Sequence, residues 1–161
     1  MAKTKSNGKE SKPKKAVKSL LKNQPDLTAQ LQHQFGFDGF KGPQEEIIES
    51  LLGGNDTFVI MPTGGGKSIT FQVPALAMEG ICLVISPLIA LMKDQVENLK
   101  KRGISAVAIY SGMTQHEIDI TLDNCIYGEV KFLYVSPERL STAIFRERIR
   151  KMRVCMVAID E

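Results

Sequence analysis

Cysteine is scarce in this 161-residue sequence. Cys82, Cys125 and Cys155 are an odd number and stand 43 and 30 residues apart. No CxxC pair exists, so neither a zinc ribbon nor a disulfide scaffold is expected, and the thiols read as buried and reduced. Long apolar runs are also missing. Stretches such as Ile81–Ile85 fall far short of the ~20 residues that span a bilayer. No apolar segment follows the basic N-terminus, so no secretory signal is expected and an intracellular setting is. Aromatics make up only 6% of the chain. Phe132, Tyr134 and Phe145 sit within apolar runs and read as core rather than as a base-stacking platform. His33 and His116 lack the spacing of metal ligands and read as structural or surface residues. No internal repeat is visible.

What is present is ordinary globular material. Apolar residues make up 43% and charged residues 24%, enough for one buried core at about 150 residues per domain. The charge is unevenly spread. Residues 1–22 hold eight lysines and one glutamate, leaving the remainder mildly acidic although the net charge is +3. Residues 1–22 therefore read as a disordered basic tail, serving either solubility or attraction to nucleic acid. Residues 23–161 read as the folded part.

That folded part is punctuated. Leu27, Leu31 and Phe35 predict a short helix over 26–35. Phe35 to Phe40 reads as an aromatic turn. Pro43, Glu45 and Glu46 start a second helix, which Gly53-Gly54 ends. From Thr57 onward, apolar and β-branched runs at 57–61, 81–85, 105–109, 130–135 and 154–159 predict five strands. Helices are expected at about 67–79, 88–101, 114–124 and 138–151, with Leu88, Met92, Val96 and Leu99 on one face of the second of these. Continuous apolar strands separated by helices predict a three-layer α/β fold, a parallel sheet with helices on both faces. In such sheets ligands bind at the carboxyl ends of the strands.

Two features at those ends carry chemistry. After the expected first strand comes Met61-Pro62-Thr63-Gly64-Gly65-Gly66-Lys67-Ser68, then a helix. Glycines let the backbone curl its N–H groups toward an anion, and the helix N-terminus adds a positive dipole end. Lys67 supplies a charge for the β/γ-phosphates and Ser68 a hydroxyl for Mg²⁺. The match to a phosphate loop is imperfect, since Met61 stands where the first glycine belongs. At the other end, the last strand runs into Asp160-Glu161. Asp160 is placed to hold the magnesium, and Glu161 to orient and deprotonate water.

Serines at two further strand ends repeat one design. Ser86-Pro87 and Ser136-Pro137 each read as a helix cap with proline at the first helical position. Two such ends on one sheet edge suggest a groove for a single strand of nucleic acid, held through its backbone. Plain capping explains them equally well. The arginines between 139 and 153 read either as a nucleic-acid-facing helix or as a solvated face.

Over roughly residues 27–161 the sequence resembles superfamily 2 helicases, and among them the RecQ family of DNA helicases. Phe37 to Gln44 looks like that family's motif 0, which implies nucleotide contacts for Phe40 and Lys41 and places Gln44 at the adenine edge. Lys41 replaces the family's usual arginine. Met61 to Ser68 resembles motif I, whose members tolerate the missing first glycine, so Thr63, Gly64, Gly65, Gly66, Lys67 and Ser68 are implied to hold ATP. Thr70 and Phe71 depart from the family's usual Cys-Tyr. Val84 to Val96 looks like motif Ia and Tyr134 to Leu140 like motif Ib. These imply nucleic-acid contacts at Ser86, Pro87, Leu88, Lys93, Gln95, Ser136, Glu138 and Arg139. Ile159-Asp160-Glu161 resembles the start of a DEAH box.

The resemblance implies the incomplete first RecA-like lobe of an ATP- and Mg²⁺-dependent 3′-to-5′ DNA helicase, active in repair and recombination. Its partners would be DNA and a second RecA-like lobe absent from this sequence, with no membrane and no zinc in this segment. The setting would be the bacterial cytoplasm or a nucleus. A non-catalytic nucleotide- or nucleic-acid-binding module, and a lobe of a related RNA helicase or chromatin motor, remain alternatives.

Overall fold

The computed structural model describes residues 26–62 and 64–161. The basic tail expected at 1–22, and Thr63, lie outside the described residues. Helix α1, Leu27–Phe35, starts where the Asp26 carboxylate accepts from the N–H groups of Thr28 and Ala29 at 3.0 and 3.2 Å. It ends at Gly36, whose φ of 73° is left-handed. Helix α2 is Gln44–Leu52, with Glu45 and Glu46 in its first turn. Helix α3, Lys67–Ala77, carries seven consecutive buried residues from Ile69 to Ala75.

Strands and helices then alternate: β1 Ile81–Ile85, α4 Ile89–Lys101, β2 Ala106–Ile109, α5 Gln115–Tyr127, β3 Phe132–Val135, α6 Ala143–Ile149 and β4 Val154–Ile159. Every pairing is parallel and the strand order is β2-β3-β1-β4. The period of two sorts side chains to both faces. On β3, Phe132 and Tyr134 join the core shared with α1 to α4, while Leu133 and Val135 join the core shared with α5 and α6. Helices thus cover both faces, as the continuous apolar runs predicted. No helix among the described residues is long and apolar enough to cross a membrane.

Three expectations are corrected. Residues 57–61 form no strand: none of residues 56–61 makes a backbone–backbone hydrogen bond among the described residues, and Phe58 and Ile60 are 90% and 86% exposed. The run is apolar enough, but a strand also needs an edge to pair with. Both edges of β1 are taken by β3 and β4, and the segment pairs with neither of the outer edges at β2 and β4. The helix expected at 138–151 is broken into a 3₁₀ turn, Pro137–Ser141, and α6. Helix α4 starts at Ile89 rather than 88, so Leu88 is exposed instead of sharing the buried face of Met92, Val96 and Leu99.

The apolar side chains left uncovered include Phe58, Ile60 and Tyr127 and, on the outer strand β4, Val157 and Ile159. Exposed apolar residues beside an open strand edge favour self-association. Phe58→Ser with Val157→Thr is expected to lower light scattering and apolar-dye binding. The urea-unfolding free energy should stay within about 0.5 kcal/mol of the parent, as for surface substitutions generally.

Candidate nucleotide and nucleic-acid site

The carboxyl ends of the parallel strands set the site. The last rung between β1 and β4 is the Asp160 N–H donating to the Ile85 carbonyl at 2.9 Å. It carries Asp160 and Glu161 to the edge where α3 begins. There the Lys67 ammonium lies 3.3 Å from a Glu161 carboxylate oxygen, joining residues 94 positions apart. Burial pushes the Asp160 carboxyl above its ordinary pKa. The Glu161 charge pushes the same way, and Lys67 opposes both.

The glycine loop is curled as its composition requires. Gly64 and Gly66 have φ of 79° and 74°, where a side chain would be strained. The Gly65 N–H closes a turn on the Pro62 carbonyl at 3.0 Å. Gly66 is also closely approached: a Cβ there would fall 2.5 Å from Gln44 Nε2. Gln44 is almost fully buried. Its Nε2 donates to the carbonyls of Gly65 and Gly66 at 3.3 and 3.1 Å, and its Oε1 accepts from the Lys41 N–H at 2.8 Å. The first turn of α2 therefore braces the phosphate loop directly.

Beside this loop lies a cavity of about 400 Å³, walled by Phe37, Lys41, Pro43, Gln44, Ile60, Met61, Gly64 to Gly66 and Ile69. Phe40, the aromatic assigned to nucleotide by motif position, packs against the core instead and does not line it. Phe37 does, with the Lys41 ammonium 5.9 Å from its ring centroid. No sequence signal separates Phe37 from Phe40, since both follow α1 among the same glycines. Lys67 and Ser68 open α3 at the far side of the loop. A second, larger hollow lies at the opposite, amino ends of the strands, around Gly80, Lys131 and Arg153.

The residues expected at nucleic acid separate into two groups. Pro87, Leu88 and Lys93 are exposed, and the Lys93 ammonium sits 4.6 Å from the Tyr110 ring centroid. The others are turned inward or tied to neighbours. Ser86 is buried and its Oγ accepts from the Leu88 N–H at 3.4 Å, before α4 rather than within its first turn. Pro87 is therefore not the first residue of that helix. Ser136 is also buried, but its Oγ donates to the Glu138 carboxylate at 2.6 Å and caps nothing. Ser111 donates to the same carboxylate. The Ser111 and Ser136 hydrogen bonds hold Glu138 below the usual carboxylate range. Arg139 donates from Nη2 to the Tyr110 carbonyl at 3.2 Å. Gln95 accepts from Gln72. The arginine-rich stretch is partly neutralised, with ion pairs at three of its six basic residues. Arg148 pairs with Asp119 and Asp123, Lys151 with Glu147, and Arg153 with Glu79, as on a solvated face.

The family described as DEAD/DEAH box helicase matches residues 41–161. The chain belongs to that family. Within it the sequence falls in the RecQ group. It is 43% identical to the ATP-dependent DNA helicase RecQ of Haemophilus influenzae over 89% of this chain and 23% of that protein. It is 48% identical to the Pasteurella multocida RecQ over 79% of this chain and 20% of that one. The RecQ of Bacillus subtilis is 46% identical over 81% and 22%. The chain thus spans between a fifth and a quarter of the length of these curated relatives.

The raised pKa of Asp160 has a stability consequence. Its folded carboxylate is disfavoured relative to the unfolded chain, so the ionised group costs stability above its folded pKa. The cost fades as pH falls through that value toward the ordinary one. Asp160→Asn is therefore expected to raise the melting temperature slightly at pH 7. Repeating the melts at progressively lower pH should show the gain disappear.

Proposed function

We propose that this chain is the nucleotide-binding lobe of a RecQ-type DNA helicase, which takes ATP with magnesium and works inside the cell on DNA. The observation that carries this reading is the meeting of Lys67 and Glu161 across the mouth of the curled glycine loop, with Asp160 beside them. A cation at the start of a helix, side-chain-free backbone before it and two carboxylates facing it are suited to a polyphosphate and its metal.

The cavity beside the loop is mostly apolar, with amide and ammonium groups at its margin. That composition suits a flat base, with Phe37 as one wall and Gln44 at the base's polar edge. Lys67 would hold the terminal phosphates, with Thr63 to Gly66 around them. Ser68 and Asp160 would hold magnesium, which when bound neutralises phosphate charge. Glu161 would orient and deprotonate the attacking water. A single strand would run along the edge formed by Pro87, Leu88, Lys93 and the turn at Ser136 to Arg139, held through its phosphates.

The named relatives are ATP-dependent DNA helicases nearly four times as long as this chain, and their additional length is where a second lobe would be found. An arginine supplied from another lobe is worth roughly 10³–10⁵ in turnover in such enzymes. The 161-residue chain should accordingly bind nucleotide while hydrolysing it very slowly.

Titration of a fluorescent ATP analogue, with and without magnesium, tests the reading. Binding should be magnesium-dependent and weaken at least ~10-fold in Lys67→Ala, as for loss of a charge-assisted contact. Binding that ignores this substitution would remove the phosphate-loop assignment. Efficient duplex unwinding by this chain alone would overturn the assignment of a lobe that needs a partner.

A further inference from the structure

Gln72 sits in the second turn of α3, five residues beyond Lys67, and is 4% exposed in an otherwise apolar layer. A buried primary amide must satisfy two N–H groups, and leaving one unpaired is costly. Here both go to other elements. Nε2 donates to Gln95 Oε1 on α4 at 3.0 Å and to the Tyr134 hydroxyl on β3 at 3.3 Å. One side chain thus fastens the helix that begins at Lys67 to the helix that carries Lys93 and to the strand that ends at Ser136.

The surroundings make these bonds stiff. Tyr134 is 1% exposed and Met92, Val84 and Phe132 belong to the same core. Hydrogen bonds in so dry a layer are strong and directional. Burial holds the proton on Tyr134, far above the ordinary tyrosine range, with the bond from Gln72 acting against it. The Asp160 charge is felt at the same hydroxyl. Gln72 thus serves two elements with one amide, and a shift of α3 that breaks either bond leaves a buried N–H unpaired.

We propose that Gln72 is a positioning residue linking the two ligand edges, so that nucleotide held at Lys67 and a single strand held along α4 and the Ser136 turn change each other's affinity. This rests on the reading under Proposed function, and nothing in it requires Gln72 to touch either ligand. Linkage of this kind is reciprocal.

The test is a binding cycle on the 161-residue chain. The affinity of magnesium with a fluorescent ATP analogue is measured with and without saturating oligo(dT), and the affinity of labelled oligo(dT) with and without saturating nucleotide. The wild-type chain is expected to show a coupling factor of about 10, within the usual range for linked sites. Gln72→Met, which keeps the volume and removes both bonds, should bring the factor to about 1. Each separate affinity should stay within about 3-fold, a change a merely structural role would not confine to the coupling. Gln95→Met, at a half-buried position, and Tyr134→Phe each remove one bond and should lower the factor partway. They decide the matter should Gln72→Met fail to melt cooperatively. A wild-type chain that binds both ligands without coupling overturns this inference and leaves the nucleotide lobe standing, as do variants whose coupling is undiminished. A folded wild-type chain that binds no nucleotide overturns both.

Discussion

Parallel pairing is the constraint on which the site depends. Because β1 to β4 all run the same way, their carboxyl ends open on one edge. Any residue following a strand is delivered there regardless of its distance in sequence. The rung from Asp160 to Ile85 fixes how far β4 extends past β1, and so where its two terminal carboxylates stand. A one-residue slip of β4 would send Asp160 and Glu161 to the opposite faces. Burial of Met156 and Ala158 against the α1–α4 side opposes that slip, so core packing and site geometry are enforced by the same register.

The second requirement is that the loop before α3 hold its curl. Its glycines permit the conformation but do not impose it, since permissive backbone carries an entropic cost when ordered. Gln44 supplies the imposition. It spends both ends of its amide on protein, one on the Lys41 backbone and one on the Gly65 and Gly66 carbonyls. Gly66 has to lack a Cβ for this contact to exist at all. With both N–H groups so engaged, Gln44 must give up one of these bonds to donate to a base, while its Oε1 keeps a second lone pair for a donor. Donation to adenine therefore comes coupled to the shape of the phosphate loop.

The layered α/β architecture was legible in the sequence because periodicity and punctuation are local. Apolar runs at 81–85 and 154–159, the glycine pair that ends α2 and the glycine-lysine-serine core each depend on neighbours within a few residues. What was not legible depended on pairing at a distance. The run at 57–61 has strand composition, but no residue in it reports whether an edge will be available. Phe37 and Phe40 are chemically alike, and only the packing of α1 decides that Phe40 goes to the core and Phe37 to the cavity wall. The serines at 86 and 136 carry the same Ser-Pro signature, yet Glu138 captures Ser136 while the Ser86 oxygen faces the Leu88 N–H. Gln72 did leave a trace: a polar residue inside the apolar run Ile69 to Ala75 must find buried partners. Which partners they are requires the sheet.

The unpaired run also bears on the cavity it borders. Ile60 and Met61 form part of the wall, yet residues 56–61 are held by no backbone–backbone hydrogen bonds among the described residues. Such a wall is drawn from the least stable part of a fold, where local opening costs little. A ligand seated against it must order that stretch, and the ordering, about 1–2 kcal/mol for each backbone residue fixed, is subtracted from its affinity. Anything that paired residues 57–61 in advance would remove that cost and tighten nucleotide binding without touching the nucleotide. The phosphate end of the site is built on the opposite principle, with Gly64 to Gly66 braced by Gln44 and anchored to α3. Phosphates should therefore dominate recognition by this chain, with the base adding less than its apolar contact area suggests.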